Sequence, residues 1–132
     1  MPQAIDLTIN NGAGTPVAKT FTLYTQAAGD NSLATWKLKE GPTASVFPVV
    51  TALTRPTGNQ ARKLQLKFRM PSYYTDSGSG LTTIGPAFEF DGSVTMPDNF
   101  PEVSKNDAVA FTSNLIAHAL IKAMMRDAIP AT

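Results

Sequence analysis

A chain of 132 residues, 42% hydrophobic and 16% charged, is long enough to bury one core, too short for two, and too apolar to stay disordered. Its 11 basic and 10 acidic side chains leave a net charge of only +1, so a polyanion has to be met by a local patch rather than by the field of the whole molecule. No cysteine is present, which excludes disulfides, thiolate metal sites and cysteine nucleophiles; the start MPQAIDLTIN lacks the basic and apolar regions of a signal peptide, and no stretch approaches the ~18 apolar residues of a membrane span, so a soluble, unexported protein is expected.

Residues 4 to 10, AIDLTIN, alternate apolar with polar; NGAGT supplies turn glycines; and residues 17 to 25, VAKTFTLYT, alternate again, which predicts a β-hairpin. AAGDNS breaks the pattern, LATWKLKE (33 to 40) resumes it and GPT ends it. SVFPVVTALTR (45 to 55) predicts a further strand, bulged or at an edge near Pro48, which has no amide hydrogen to donate. After a turn at PTGNQ, the segment ARKLQLKFRM (61 to 70) alternates without a break from Lys63 onward. A strand sends successive side chains to opposite faces. Lys63, Gln65, Lys67 and Arg69 therefore line one face, and Leu64, Leu66, Phe68 and Met70 the other. PSYYTDSGSGLTTIGP (71 to 86) reads as a loop and AFEFDGSVTM (87 to 96) as the last strand. Up to six strands with short connections predict an antiparallel meander over residues 4 to 96.

Beyond PDNFPE the pattern changes to a helical one. Ser104 and Asp107 have the spacing of a capping box, with Asp in the place usually taken by Glu. NDAVAFTSNLIAHALIKAMMRDAI predicts helix between residues 104 and 128, with Phe111, Leu115 and Ala119 at i, i+4 spacing as its buried face. A helical segment of about 30 Å covers only part of such a sheet, and open edge strands invite pairing with another chain. An intertwined homodimer answers both needs, with sheets joined edge to edge and each helix over the partner's sheet. A monomeric α+β domain with a smaller sheet is the alternative.

Catalytic chemistry is poorly supplied. His118, the only histidine, falls within the predicted helix and has no evident partner. Asp76, Ser77 and Gly78 match the Asp-Thr/Ser-Gly triplet of dimeric aspartic proteases, but the run SYYTDSGSG is that of a turn, and no apolar strand leads into it. The basic strand face is the better candidate: lysine and arginine meet phosphates and Gln65 can hydrogen-bond a base edge, with a merely solvated sheet face as the alternative. If Leu53 faces the core with Thr51 and Val49, then Ala52 and Thr54 share the polar face. On the last strand Glu89, Asp91, Ser93 and Thr95 take the polar side, and Phe88, Phe90 and Val94 the apolar one.

In the order and spacing of these elements the chain resembles the coat proteins of single-stranded RNA bacteriophages, the leviviruses. The likeness to the allolevivirus type is strongest at KLQLKFRMP (63 to 71), where that type has a Lys-Val-Gln-Val-Lys-Ile run ending in Asn-Pro, and it recurs from AF (110 to 111) to RDAI (126 to 129). The resemblance implies an α+β fold: an N-terminal β-hairpin, a five-stranded antiparallel sheet and two C-terminal helices in an intertwined homodimer. It implies a structural protein of the virion, not an enzyme, with no cofactor, metal, membrane or small-molecule substrate. Dimers would build an icosahedral shell in the bacterial host cytoplasm. The sheet would face single-stranded genomic RNA, and binding of an operator hairpin would repress replicase translation.

Carried over by position, Lys63 and Gln65 match RNA-contacting positions of the family, and Lys67 and Arg69 extend their face. Ala52 and Thr54 match contact positions on the neighbouring strand, Ala52 in place of a hydroxyl. Glu89 falls where the family often has a tyrosine stacked on a base, with Asp91 two residues on; a carboxylate cannot stack and repels phosphate. Phe111, Leu115 and Ala119 would lie in the dimer interface. The loop at 71 to 86 corresponds to the one lining the shell's symmetry axes, without the cysteines some relatives carry there. The alternatives are a non-viral, OB-type single-stranded nucleic-acid-binding domain and a dimeric aspartic protease built on Asp76.

Overall fold

Strand pairing follows chain order. In the computed structural model, which describes residues 2–58 and 60–132, six strands lie in the order β1-β2-β3-β4-β5-β6 across one sheet. They are β1 (Leu7–Asn10), β2 (Ala18–Thr25), β3 (Leu33–Lys37), β4 (Val49–Thr57), β5 (Ala61–Thr75) and β6 (Thr82–Pro97). The first half of β2, from Ala18 to Phe21, pairs with β1 as the N-terminal hairpin. Its second half pairs with β3, with a register break between Leu23 and Thr25. The hairpin and the five-stranded antiparallel sheet are thus both present, and β2 belongs to both.

Polar side chains close the first turn. Asn11 Oδ1 accepts from Val17 N at 3.0 Å and from Ala13 N at 3.2 Å, an Asx turn. Ahead of β1, Trp36 Nε1 donates to the Ile5 carbonyl at 2.8 Å and Leu23 N to Asp6 Oδ1 at 2.8 Å, so the N-terminal segment is tied to the sheet.

Prolines set several boundaries differently from the sequence reading. A 3₁₀ turn, Ala44–Val46, precedes β4, which begins directly after Pro48, so residues 45 to 55 are not one bulged strand. Pro48 contributes its carbonyl instead, accepting from Leu38 N at 2.9 Å. Pro71 and Pro86, expected to bound a loop, lie inside β5 and β6, which continue as a two-stranded ribbon to a tip at 76 to 81. The last β4–β5 pair is Val49 with Arg69, so at Pro71 no β4 strand waits for the missing donor. At the tip Asp76 N donates to Leu81 O at 2.9 Å and Gly80 N to Asp76 O at 2.8 Å. In the turn between β4 and β5, Asn59 lies outside the described residues.

Among the described residues the buried apolar side chains are Phe21, Ala34, Val46, Val50 and Ala61. Phe68 opposes Val50 across the sheet, its ring centre 6.2 Å from that of Phe21, edge to face, and 6.2 Å from that of Phe88.

A second compact unit, Pro97–Thr132, holds α1 (Glu102–Ala117) and α2 (Ala119–Asp127), bent by 54° from each other. The predicted capping box does not form. Pro101 is the N-cap of α1, with no side-chain cap, and Ser104 N donates to its carbonyl at 3.0 Å, so the helix has already begun when Ser104 is reached. At His118 the backbone turns extended (φ −67°, ψ 141°) and the helix breaks. The imidazole then caps α2, its Nδ1 accepting from Leu120 N at 3.2 Å. Phe111 and Leu115 therefore share α1 while Ala119 opens α2, so the three do not form one continuous helical row. Among the described residues no single helix is long and apolar enough to cross a membrane.

Candidate nucleic-acid interface

Directly opposed residues of an antiparallel pair point to the same side of a sheet. Between β4 and β5 the pairs are Val49 with Arg69, Thr51 with Lys67, Leu53 with Gln65 and Arg55 with Lys63. Lys63, Gln65, Lys67 and Arg69 thus share one face, and β3 adds Lys37 and Thr35, which oppose Val49 and Thr51. Ala52 and Thr54 lie elsewhere. Ala52 opposes Leu66 and Thr54 opposes Leu64, which puts both on the apolar face. Their assignment to the polar face assumed that Val49, Thr51 and Leu53 look inward; Val50, 8% exposed, is the core residue instead. A one-residue shift in phase sends every side chain to the other side. Thr51 and Arg55 are the polar-face residues the sequence reading missed, and Arg55 was the available signal, since an unburied charge sets the phase of its strand.

Glu89 and Asp91 meet the basic strand from β6. Arg69 Nε donates to Glu89 Oε1 at 3.3 Å, Lys67 Nζ lies 3.9 Å from Asp91 Oδ2, and Gln65 Nε2 donates to Asp91 Oδ1 at 3.4 Å. All four charged side chains are more than half exposed, between 54% and 70%. Such pairs contribute about 0–1 kcal/mol, so a phosphate can displace the carboxylates at small cost. Arg55 and Lys63 oppose each other directly, and like charges facing across strands repel, which favours an anion beside them.

The opposite face is apolar and open. A groove of about 760 Å³ runs over it, lined by Leu7, Phe21, Val50, Leu66, Phe68 and Met70 among others. Leu66 is 40% exposed and Met70 52%. In the helical unit Phe111 is 74% and Leu115 58% exposed, and neither helix contains a buried residue.

Asp76 and His118 are both engaged locally. Asp76 accepts from Gly78 N at 2.9 Å and from Ser79 Oγ at 3.0 Å, and these bonds hold its carboxyl below the usual carboxylate value. That is an exposed, ionised turn residue, the reverse of the buried, proton-sharing carboxylate that a protease dyad requires. Nor does the sequential strand order match the Greek-key barrel of an OB fold. Among the described residues no group of His, Cys, Asp and Glu is placed to hold a metal ion.

A six-stranded meander with a two-faced sheet, followed by two helices, is the fold of RNA-phage shell proteins. It is similar to the chain in the virus-like particle of bacteriophage NT-214, with a TM-score of 0.86 and 19% identity over 99% of this chain and 100% of that one. The virus-like particle of Beihai levi-like virus 21 matches at a TM-score of 0.83 and 16% identity, covering 99% of each chain. The bacteriophage GA protein capsid matches at 0.72 and 18%, over 93% of this chain and 94% of that one. No curated protein matches by sequence. The family model described as Levivirus coat protein matches residues 2–132, and the chain belongs to that family of phage coat proteins.

Proposed function

We propose that two copies of this coat protein intertwine as a homodimer, that dimers close into an icosahedral shell, and that the polar sheet face binds single-stranded genomic RNA within it. The observation that carries the reading is the small core. Five buried apolar residues among those described cannot offset the conformational entropy of ordering the chain, while a sheet face and both helices present large apolar side chains to solvent. Burying a Leu or Phe contributes about 1.5–3 kcal/mol, so a partner's helices laid over the groove would supply what the single chain lacks. A repeated chain is the economical partner, since β6 at the sheet edge can pair with its own copy.

The polar face then looks toward the opposite side, where its cations suit a polyanion. Nonspecific packaging of RNA fits this surface. Hairpin-specific repression of replicase translation, the finer reading implied by the family resemblance, lacks the stacking ring on β6, because Glu89 and Asp91 stand there. Assembly in the host cytoplasm and residence in the virion follow from the same reading.

Electron microscopy and size-exclusion chromatography of the protein expressed alone in bacteria, with an A260/A280 ratio, test it. Uniform shells rich in nucleic acid are expected. A small species free of nucleic acid, unchanged across salt and concentration, would overturn the assembly reading.

A further inference from the structure

We propose that Tyr24, Lys37 and Lys39 form a nucleotide-stacking subsite, which takes one base and its flanking phosphates from single-stranded RNA at the β2–β3 side of the polar face. The proposal rests on the reading of that face as the RNA-binding surface and gives it a specific chemistry. Lys37 belongs to the face by register, opposing Val49, which in turn opposes Arg69. Its Nζ lies 4.7 Å from the centre of the Tyr24 ring, and that of Lys39 5.5 Å. Tyr24 is 48% exposed. Tyr24 falls at the register break between Leu23 and Thr25, the kind of irregularity that re-aims a side chain out of the regular pleat.

The two sides of the face differ in how their cations are held. Lys67 and Arg69 face Asp91 and Glu89. Among the described residues no carboxylate forms an ion pair with Lys37 or Lys39, whose neighbour is an aromatic ring. An ammonium near an exposed ring is weakly held, so each lysine can swing on its flexible stem to a phosphate while a base takes the ring. Every base has a π face, so the subsite accepts any unpaired base; a duplex, with its bases stacked inside, cannot offer one. The aromatic contact absent from β6 is thereby supplied from β2.

The test uses the full chain as unassembled protein, titrated with a short fluorescein-labelled oligouridine at several salt concentrations. Tyr24→Leu is expected to weaken binding about tenfold with the salt slope unchanged, and Tyr24→Phe to bind like the wild type, because the ring and not the hydroxyl stacks. Lys37→Gln and Lys39→Gln should each reduce the slope by about 0.7, the value for one phosphate contact on a single strand. Photocrosslinking of bromouridine RNA to the unaltered protein should label the tryptic peptide that carries Tyr24, whether or not any variant folds poorly. Wild-type binding with an unaffected Tyr24→Leu, or crosslinks confined to other peptides, would refute the subsite and leave the polar-face reading standing. Failure of the wild type to bind any RNA would remove that reading and the subsite together.

Discussion

Gly41 is a position where one added atom matters. Its φ of +130° belongs to glycine, and a Cβ there would come within 2.5 Å of Cγ2 of Val46, itself only 1% exposed. Gly41→Ala should therefore cost about 2 kcal/mol through backbone strain and overpacking, seen as a lower denaturation midpoint. An unchanged midpoint would mean that the turn shifts freely. Asp76 carries a different prediction. Hydrogen bonds from Gly78 N and from Ser79 lower its pKa beneath the usual 3.8. A carboxyl with a depressed folded pKa stabilises its turn fully above the unfolded value, and that contribution disappears as pH falls through the folded one. Hydrogen exchange at Gly78 and Gly80, corrected for the intrinsic rate, should lose protection in acid below 3.8, and Asp76→Asn should abolish that dependence. The turn itself was legible from Asp-Ser-Gly-Ser-Gly, because each of those residues favours tight turns for its own local reason.

Among the elements, β5 declared both of its faces while β4 did not. From Lys63 to Met70 polar and apolar residues occupy opposite parities, whereas VVTALTR has apolar residues at both. Pairing with β5 settles the phase of β4, and with it the exclusion of Ala52 and Thr54 from the basic face. If that face binds phosphates, Lys63→Ala should flatten the salt dependence of RNA binding more than Lys67→Ala, since Lys67 is already partly neutralised by Asp91. Titrations giving both variants the wild-type slope would take these lysines out of the site. The helices illustrate the same limit of local reading. Alanine on both sides of His118 signals continuation, yet the chain breaks there and the imidazole becomes a cap. Phe111 and Leu115 remain on one helix, exposed in the single chain. Leu115→Asp should yield no soluble dimer on size-exclusion chromatography, because a charge would be buried without a partner. Recovery of a normal dimer would show that this part of α1 lies outside the interface.

For the whole molecule the imbalance between exposed and buried apolar surface has a thermodynamic signature. When folding depends on a second copy, stability includes an association term and the melting temperature rises with protein concentration. Calorimetry over a wide concentration range, under conditions that prevent shell formation, should show that rise. A melting temperature independent of concentration would point to a self-sufficient monomer. If the polar face binds RNA as proposed, the net charge of only +1 means that the attraction comes from that one surface, and it should weaken steeply with salt.

The amino-acid sequence alone determined what depends on near neighbours: alternation made the strands, turn residues ended them, and alanine, leucine and methionine made the C-terminal segment helical. It was also enough to separate the basic from the apolar side of β5, and the resemblance to levivirus coat proteins rested on the order of those same elements. Tertiary structure decided what depends on partners distant along the chain. Register with β5 chose the phase of β4, the end of β4 allowed β5 to run on through Pro71, and spatial convergence brought Tyr24 to Lys37 and Lys39. Local pattern is a property of one strand, but a face exists only once strands are paired, and pairing is a long-range choice.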